Sequence, residues 1–246
     1  KKKNQMKYID HLRELRNRIL LTFLFLIIAF FFFFYNVDSV SEFLTRPLFS
    51  LLNDSSNQRM IFTGLPEIFV SNLKISLFAS FLLSVPFLLI QIFLFSSPAL
   101  YKKEKKIFIP LISIIPIFFF LGVLFAYYFL IPIIWSFFLS FENFMDTSFP
   151  IELESRYSEY MKLTMYLLFA SGLSFQFPVL IVLLTKLGFF NTHYLKKNRK
   201  YFYVGILIFS AFFTPPDVVS QIGITIPLII FYESSIIFIK YCFKKK

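Results

Sequence analysis

The sequence predicts an all-α integral membrane protein: six transmembrane helices in a concave, kinked bundle, both termini on the cytoplasmic or matrix side. Three observations carry this. The first is composition: the 246 residues are 57% hydrophobic and only 16% charged, and 39 of them are Phe, with a mean hydropathy of +0.71. Soluble domains draw about 45–50% of their residues from the apolar set and bury at most about 75% of the unfolded chain's surface. Lipid must therefore act as solvent for part of this chain. The second is the arrangement of the apolar residues in six runs separated by polar gaps. The third is the sign of the charge in those gaps.

The net charge is +11, and 20 of the 25 Lys and Arg fall in four clusters at 1–18, 102–106, 186–200 and 240–246. The intervening gaps carry Asp38, Glu42, Asp54, Glu67, Glu142, Asp146, Glu152, Glu154, Glu159 and Asp217. Basic clusters in every second gap mark the inner face and argue against a nucleic-acid partner. Residues 1–246 read as a single membrane domain. No cleavable signal peptide is expected, because about eighteen polar and basic residues precede the first apolar run. Cys242 is the sole cysteine, which excludes a disulfide framework.

The runs are read as helices at 19–35, 68–95, 107–138, 160–184, 201–213 and 218–239, since only helices or closed barrels satisfy backbone hydrogen bonding in lipid. Ahead of the first lies His11-Leu12-Arg13-Glu14-Leu15-Arg16-Asn17-Arg18. On a helix, His11, Glu14 and Arg18 share one face. Glu14 either pairs with Arg18 four residues on or presents its carboxylate to a cationic ligand at the membrane surface. Between the first and second spans, Val37, Val40, Phe43, Leu44 and Leu48 have mixed helical spacing. They predict a short interfacial helix stopped by Pro47. After the second span comes Phe95-Ser96-Ser97-Pro98-Ala99-Leu100-Tyr101, then a basic stretch in which Glu104 is the only acid. Glu104 either compensates local charge or joins Glu14 in gripping guanidinium groups bidentately.

The third and fourth spans are separated by an acidic segment, 141–159, read as a cap over the outer face. Within the fourth, Gln176 lies ten residues from Lys186, roughly 15 Å from the inner boundary. An amide at that depth needs a partner, either inside the bundle or on a neighbouring protein's helix. Glu233 in the sixth span raises the same question. The fifth run has only fourteen residues between Lys200 and Pro215, roughly 21 Å of helix against a hydrocarbon core of about 30 Å, so a short span is predicted as a real feature. Prolines inside the spans predict kinks. The two histidines have no ligand set around them, and no nucleophile elbow or phosphate loop occurs. No enzyme activity, cofactor or metal is expected.

Together these motifs resemble the TatC family: His11-Leu12-x-Glu14-Leu15-Arg16-x-Arg18, Pro98-Ala99-Leu100-Tyr101-x-x-Glu104 and Thr214-Pro215-Pro216-Asp217-x-x-Ser220-Gln221. Glu67-x-Phe69 with Lys74, Phe175-x-x-Pro178, Leu187-Gly188, Arg199-x-Tyr201, Pro227 and Tyr232-Glu233 extend the likeness over essentially the whole chain, in order. The resemblance implies a six-helix, glove-like bundle that recognises twin-arginine signal peptides of folded cargo. It implies single-span TatA- and TatB-type partners, self-association, and transport driven by the protonmotive force. It carries Glu14 and Glu104 over as acceptors of the two signal arginines, with Arg16 and Phe95 supporting that surface. Pro47 and Asp217, in the outer loops, become positions needed for function, and Gln176 a contact for a partner helix. The family usually has glutamate where this chain has Gln176, so a polar docking role is expected there rather than a proton relay.

A small-solute secondary transporter is the rival reading, and a structural scaffold the second. The transporter predicts an inverted repeat and a midplane cluster of charges, and the sequence offers neither. Enrichment in Phe, Ile and Lys points to an AT-biased genome and favours the mitochondrial inner membrane over a bacterial plasma membrane or a thylakoid.

Overall fold

The computed structural model describes residues 8–51, 60–96, 102–140, 156–186, 188–214 and 217–242. The acidic segment 141–155, residues 97–101 and Pro215-Pro216 lie outside the described residues. The described chain is helical almost throughout: α1 (Tyr8–Tyr35), α2 (Val37–Phe49), α3 (Glu67–Ser96), α4 (Lys102–Phe125), α5 (Ile131–Ser140), α6 (Tyr157–Ser174), α7 (Phe177–Lys186), α8 (Thr192–Lys197), α9 (Arg199–Phe213) and α10 (Val218–Cys242). Among the described residues, five stretches are long and apolar enough to cross a membrane: Leu12–Tyr35, Glu67–Phe95, Ser113–Ser140, Tyr157–Lys186 and Val218–Tyr241. The remaining apolar run, the fifth in chain order, is α9, whose 15 residues make about 22 Å of helix. Its shortness is a property of the fold.

The core forms where α4, α5, α6 and α10 meet. Ile131, Leu167, Ala170, Ile224 and Tyr232 belong to one buried apolar cluster, and Ile115 and Phe119 of α4 are equally inaccessible. Contact between α4 and α6 depends on two glycines. A Cβ on Gly122 would lie 2.6 Å from the Ser171 carbonyl oxygen, and one on Gly172 would lie 3.0 Å from the Phe119 ring. Small residues let membrane helices approach backbone to backbone. At this crossing Ser171 Oγ donates to the Gly122 carbonyl at 2.8 Å.

Two spans are interrupted. Between α4 and α5 the residues Ala126–Leu130 form a π-turn, in which the Ile131 amide donates to the Ala126 carbonyl, five residues back. Pro132 follows directly and has no N–H to donate, which favours the break here. The fourth span breaks at Phe175 and Gln176, with Pro178 in the first turn of α7, where a missing N–H costs nothing.

Pro47 does not stop the outer helix. α2 continues through it to Phe49. The ring removes the donor for the Phe43 carbonyl four residues back, and the Tyr127 hydroxyl takes its place at 2.8 Å. One residue on, Tyr160 Oη donates to the Leu44 carbonyl at 2.7 Å. Tertiary donors satisfy the broken ladder, so the helix survives its proline. With Leu44 and Leu48 buried, α2 sits across the ends of α3, α5 and α6.

α1 packs chiefly against α3. Its remaining circumference is apolar and open, with Leu20, Leu24, Ile28, Phe31 and Phe32 all more than half exposed. A surface of that kind needs lipid against it.

Candidate functional site

The foot of α1 pairs internally first. Glu14 and Arg18 stand one helical turn apart, and Arg18 Nε and Nη2 both reach Glu14 Oε1, at 3.0 and 2.6 Å. Arg18 Nη1 continues across the helix boundary to Gln91 Oε1 on α3 at 2.7 Å. The three form a chain, Glu14–Arg18–Gln91, that ties the α1 foot to the same end of α3. The two side chains of the ion pair keep about a quarter of their surface, so Glu14 is accessible while held. Among the described residues, Glu14 Oε2 has no partner. Thr22 Oγ1 donates to the Arg18 carbonyl at 2.9 Å and buries that turn further.

Phe95 lies four residues beyond Gln91, on the same face of α3, and is half-buried. The fold therefore brings Glu14 and Phe95 to one end of the α1–α3 pair. Arg16 is exposed there and donates to Asn17 Oδ1 at 3.3 Å. Glu104 has its backbone in the first turn of α4; its side chain lies outside the described residues. Gln91, the partner of Arg18, is a residue of this end that sequence reasoning missed. Its signal was available: it is an amide in the apolar run Leu89-Ile90-Gln91-Ile92, the same criterion that singled out Gln176.

Gln176 sits in the break between α6 and α7, half-buried, and its Nε2 donates to the Ile115 carbonyl on α4 at 3.0 Å. The amide is thus used inside the bundle, and among the described residues its Oε1 has no partner. Glu233 on α10 is held by α9: Arg199 Nη2 lies 2.6 Å from Oε2, and Tyr203 Oη donates to Oε1 at 2.7 Å. Asp217 caps α10, accepting the Ser220 amide at 2.7 Å. Its other oxygen, Oδ2, is buried without a partner among the described residues. Pro47 acts through the Phe43 carbonyl described above.

At the opposite end of the bundle, Glu67 opens α3. Its Oε2 accepts from the Thr63 and Gly64 amides at 2.8 and 3.3 Å. Its Oε1 accepts from Ser158 Oγ. Arg156 lies 3.9 Å from Glu67 and 3.2 Å from Glu159, and also donates to Thr63 Oγ1. This network joins the start of α3 to the start of α6.

Among the described residues, no group of three His, Cys, Asp or Glu could hold a metal ion. The polar side chains instead make single interhelical bonds, with accessible charge concentrated at the helix ends. Such a molecule is a polytopic membrane protein with accessible charge at its two faces. Comparisons specify it further. The sequence profile of the family described as Sec-independent protein translocase protein (TatC) matches residues 10–227. The Sec-independent protein translocase protein TatC of Rickettsia prowazekii (strain Madrid E) is 41% identical over 228 residues, 93% of this chain and 90% of that protein. The TatC protein of Escherichia coli (strain K12) is 32% identical over 235 residues, 95% of this chain and 88% of that one. A crystal structure of the twin-arginine translocase receptor TatC in DDM superposes with a TM-score of 0.78 at 32% identity, covering 93% of this chain and 98% of that one. The chain belongs to the TatC family.

Proposed function

We propose that this chain is the core receptor subunit of a twin-arginine protein translocase and binds signal peptides through Glu14 and Glu104, with Arg16 and Phe95 framing the surface. The observation that carries the reading is the α1 foot. Glu14 is accessible, already engages one guanidinium through Oε1, and keeps Oε2 open. A signal arginine bonds to Oε2, or replaces Arg18, which retains Gln91 as its partner. Where Arg18 is replaced, both carboxylate oxygens take the guanidinium fork, and bidentate recognition of that kind distinguishes Arg from Lys. The family's name for its members and the receptor structure support the same assignment. Single-span TatA- and TatB-type proteins are the partners, with the open Oε1 of Gln176 offering an acceptor to a partner helix. The chain self-associates, works without a cofactor or catalysis, and draws on the protonmotive force. α9 completes a sixth span by thinning the bilayer locally, which places both termini on the inner side. The AT-biased composition favours the mitochondrial inner membrane, although the relatives named above are bacterial.

The test is photo-crosslinking of an Arg-Arg signal peptide and its Lys-Lys counterpart to membranes carrying the wild-type chain or Glu14→Gln/Glu104→Gln. The expected result is crosslinking by Arg-Arg alone, lost in the double variant. Equal crosslinking of both peptides, unchanged in the variant, refutes the site.

A further inference from the structure

Near the ends of α3 and α6 that Glu67 and Arg156 join, the two helices border an open cavity of about 470 Å³. Its wall changes character with depth. Ser71 and Lys74 on α3 and Ser158 and Lys162 on α6 line the end near the helix starts. Further along the same helices the lining turns to Phe81, Met165 and Phe169. From Ser71 to Phe81 is ten residues, about 15 Å of helix. Lys74 and Lys162 are both exposed and both root inside apolar spans, Glu67–Phe95 and Tyr157–Lys186. Cationic side chains rooted in a span are costly in lipid unless they are paired or reach the interface. The nearest acid in the lining is Glu159, and Arg156 engages it, while Glu67 accepts from Ser158 and the Thr63 and Gly64 amides. Among the described residues, the two lysines have no counterion. Both helices also begin at this end, adding the positive pole of their dipoles.

We propose that this cavity is a binding site for an anionic phospholipid of the leaflet at the α2-bearing end. The phosphate sits between Lys74 and Lys162, hydrogen-bonded by Ser71, and an acyl chain runs down the Phe81–Met165–Phe169 wall. The apolar wall selects a lipid, and the paired ammoniums select a negatively charged one. The site is independent of the signal-peptide reading, which concerns the opposite end of the bundle.

Native mass spectrometry of the purified, delipidated full chain tests this, with phosphatidylglycerol and phosphatidylcholine of matched acyl chains added back. The wild type is expected to retain phosphatidylglycerol about tenfold over phosphatidylcholine. Lys74→Gln/Lys162→Gln should abolish the preference, Lys74→Arg/Lys162→Arg should keep it, and soluble glycerophosphate should fail to compete. An unchanged preference in the Gln pair overturns the proposal, as does equal retention of both lipids by the wild type. Effective competition by glycerophosphate reassigns the lysines to a soluble phosphate and overturns it too. Carbodiimide crosslinking of either lysine to Glu142, Asp146, Glu152 or Glu154 would give them an internal counterion, with the same consequence. If the Gln pair fails to fold, protection of the two lysines from an amine reagent is read in the wild type. Phosphatidylglycerol should protect them and phosphatidylcholine should not, and equal reactivity in both lipids refutes the site.

Discussion

Removing one hydroxyl, in Tyr127→Phe, tests how a helix tolerates a proline at Pro47. The Phe43 carbonyl has lost its donor four residues ahead, and Tyr127 Oη supplies one from the π-turn at 2.8 Å. Tyr127 is 8% exposed, so water is a poor substitute. Its ring stacks flat on Phe43 with centroids 4.3 Å apart, a contact that Phe retains. The variant thus isolates the hydrogen bond. Leaving this part-buried carbonyl without its donor costs at most about 1–3 kcal/mol. Pro47→Ala restores an amide aimed at the same carbonyl, so the second hydroxyl deletion leaves one bond in place and costs only about 0.5–1.5 kcal/mol. The cycle should therefore show coupling of about 1 kcal/mol between positions 47 and 127. Thermal unfolding of the four proteins in one lipid nanodisc composition gives the stabilities, and hydrogen exchange of the α2 amides gives the location. A neutral Tyr127→Phe, or losses that simply add, would refute this account of why α2 needs Pro47 and Tyr127 together.

Three further outcomes are expected. Gly122→Ala forces its Cβ against the Ser171 carbonyl 2.6 Å away; overpacking of this kind costs about 1–3 kcal/mol or more, read as a lowered unfolding midpoint. Gln91→Leu removes the acceptor for Arg18 Nη1 and should lower stability by about 1 kcal/mol, loosening the α1 foot; if exchange of the Arg16–Thr22 amides is unaltered, Gln91 does not position it. Asp217→Ala removes the cap on the Ser220 amide, worth about 1 kcal/mol, and should speed exchange in the first turn of α10 alone, while Asp217→Asn keeps the acceptor and most of the protection.

What was legible in the sequence was what depends on neighbours along the chain. The apolar runs, the short α9 and the Glu14–Arg18 turn are local facts, readable from spacing and transfer energy. Gln176 was legible as an amide in need of a partner, but Ile115, the residue that satisfies it, comes from a helix sixty residues away in the chain. The continuation of α2 past Pro47 was illegible for the same reason: Tyr127 and Tyr160, which take the freed and neighbouring carbonyls, are packed there by tertiary structure. The π-turn left only Pro132 as a trace. Gln91 was missed although the rule that found Gln176 applies to it equally, because a short polar interruption reads as noise until its partner is known. The network around Glu67 unites Thr63 and Arg156 across the second and third spans, and no window of sequence contains both.

The lopsided packing of α1 has a consequence for cooperativity. A helix held almost wholly by one neighbour belongs to a different unfolding unit from the core that α4, α5, α6 and α10 build. Its opening exchanges contact with α3 for contact with lipid tails of similar polarity, so the free-energy gap is small compared with global unfolding. The Glu14–Arg18–Gln91 chain is then the latch on that motion. A ligand that draws Arg18 away from Gln91 changes how firmly α1 is held and leaves the rest of the molecule folded.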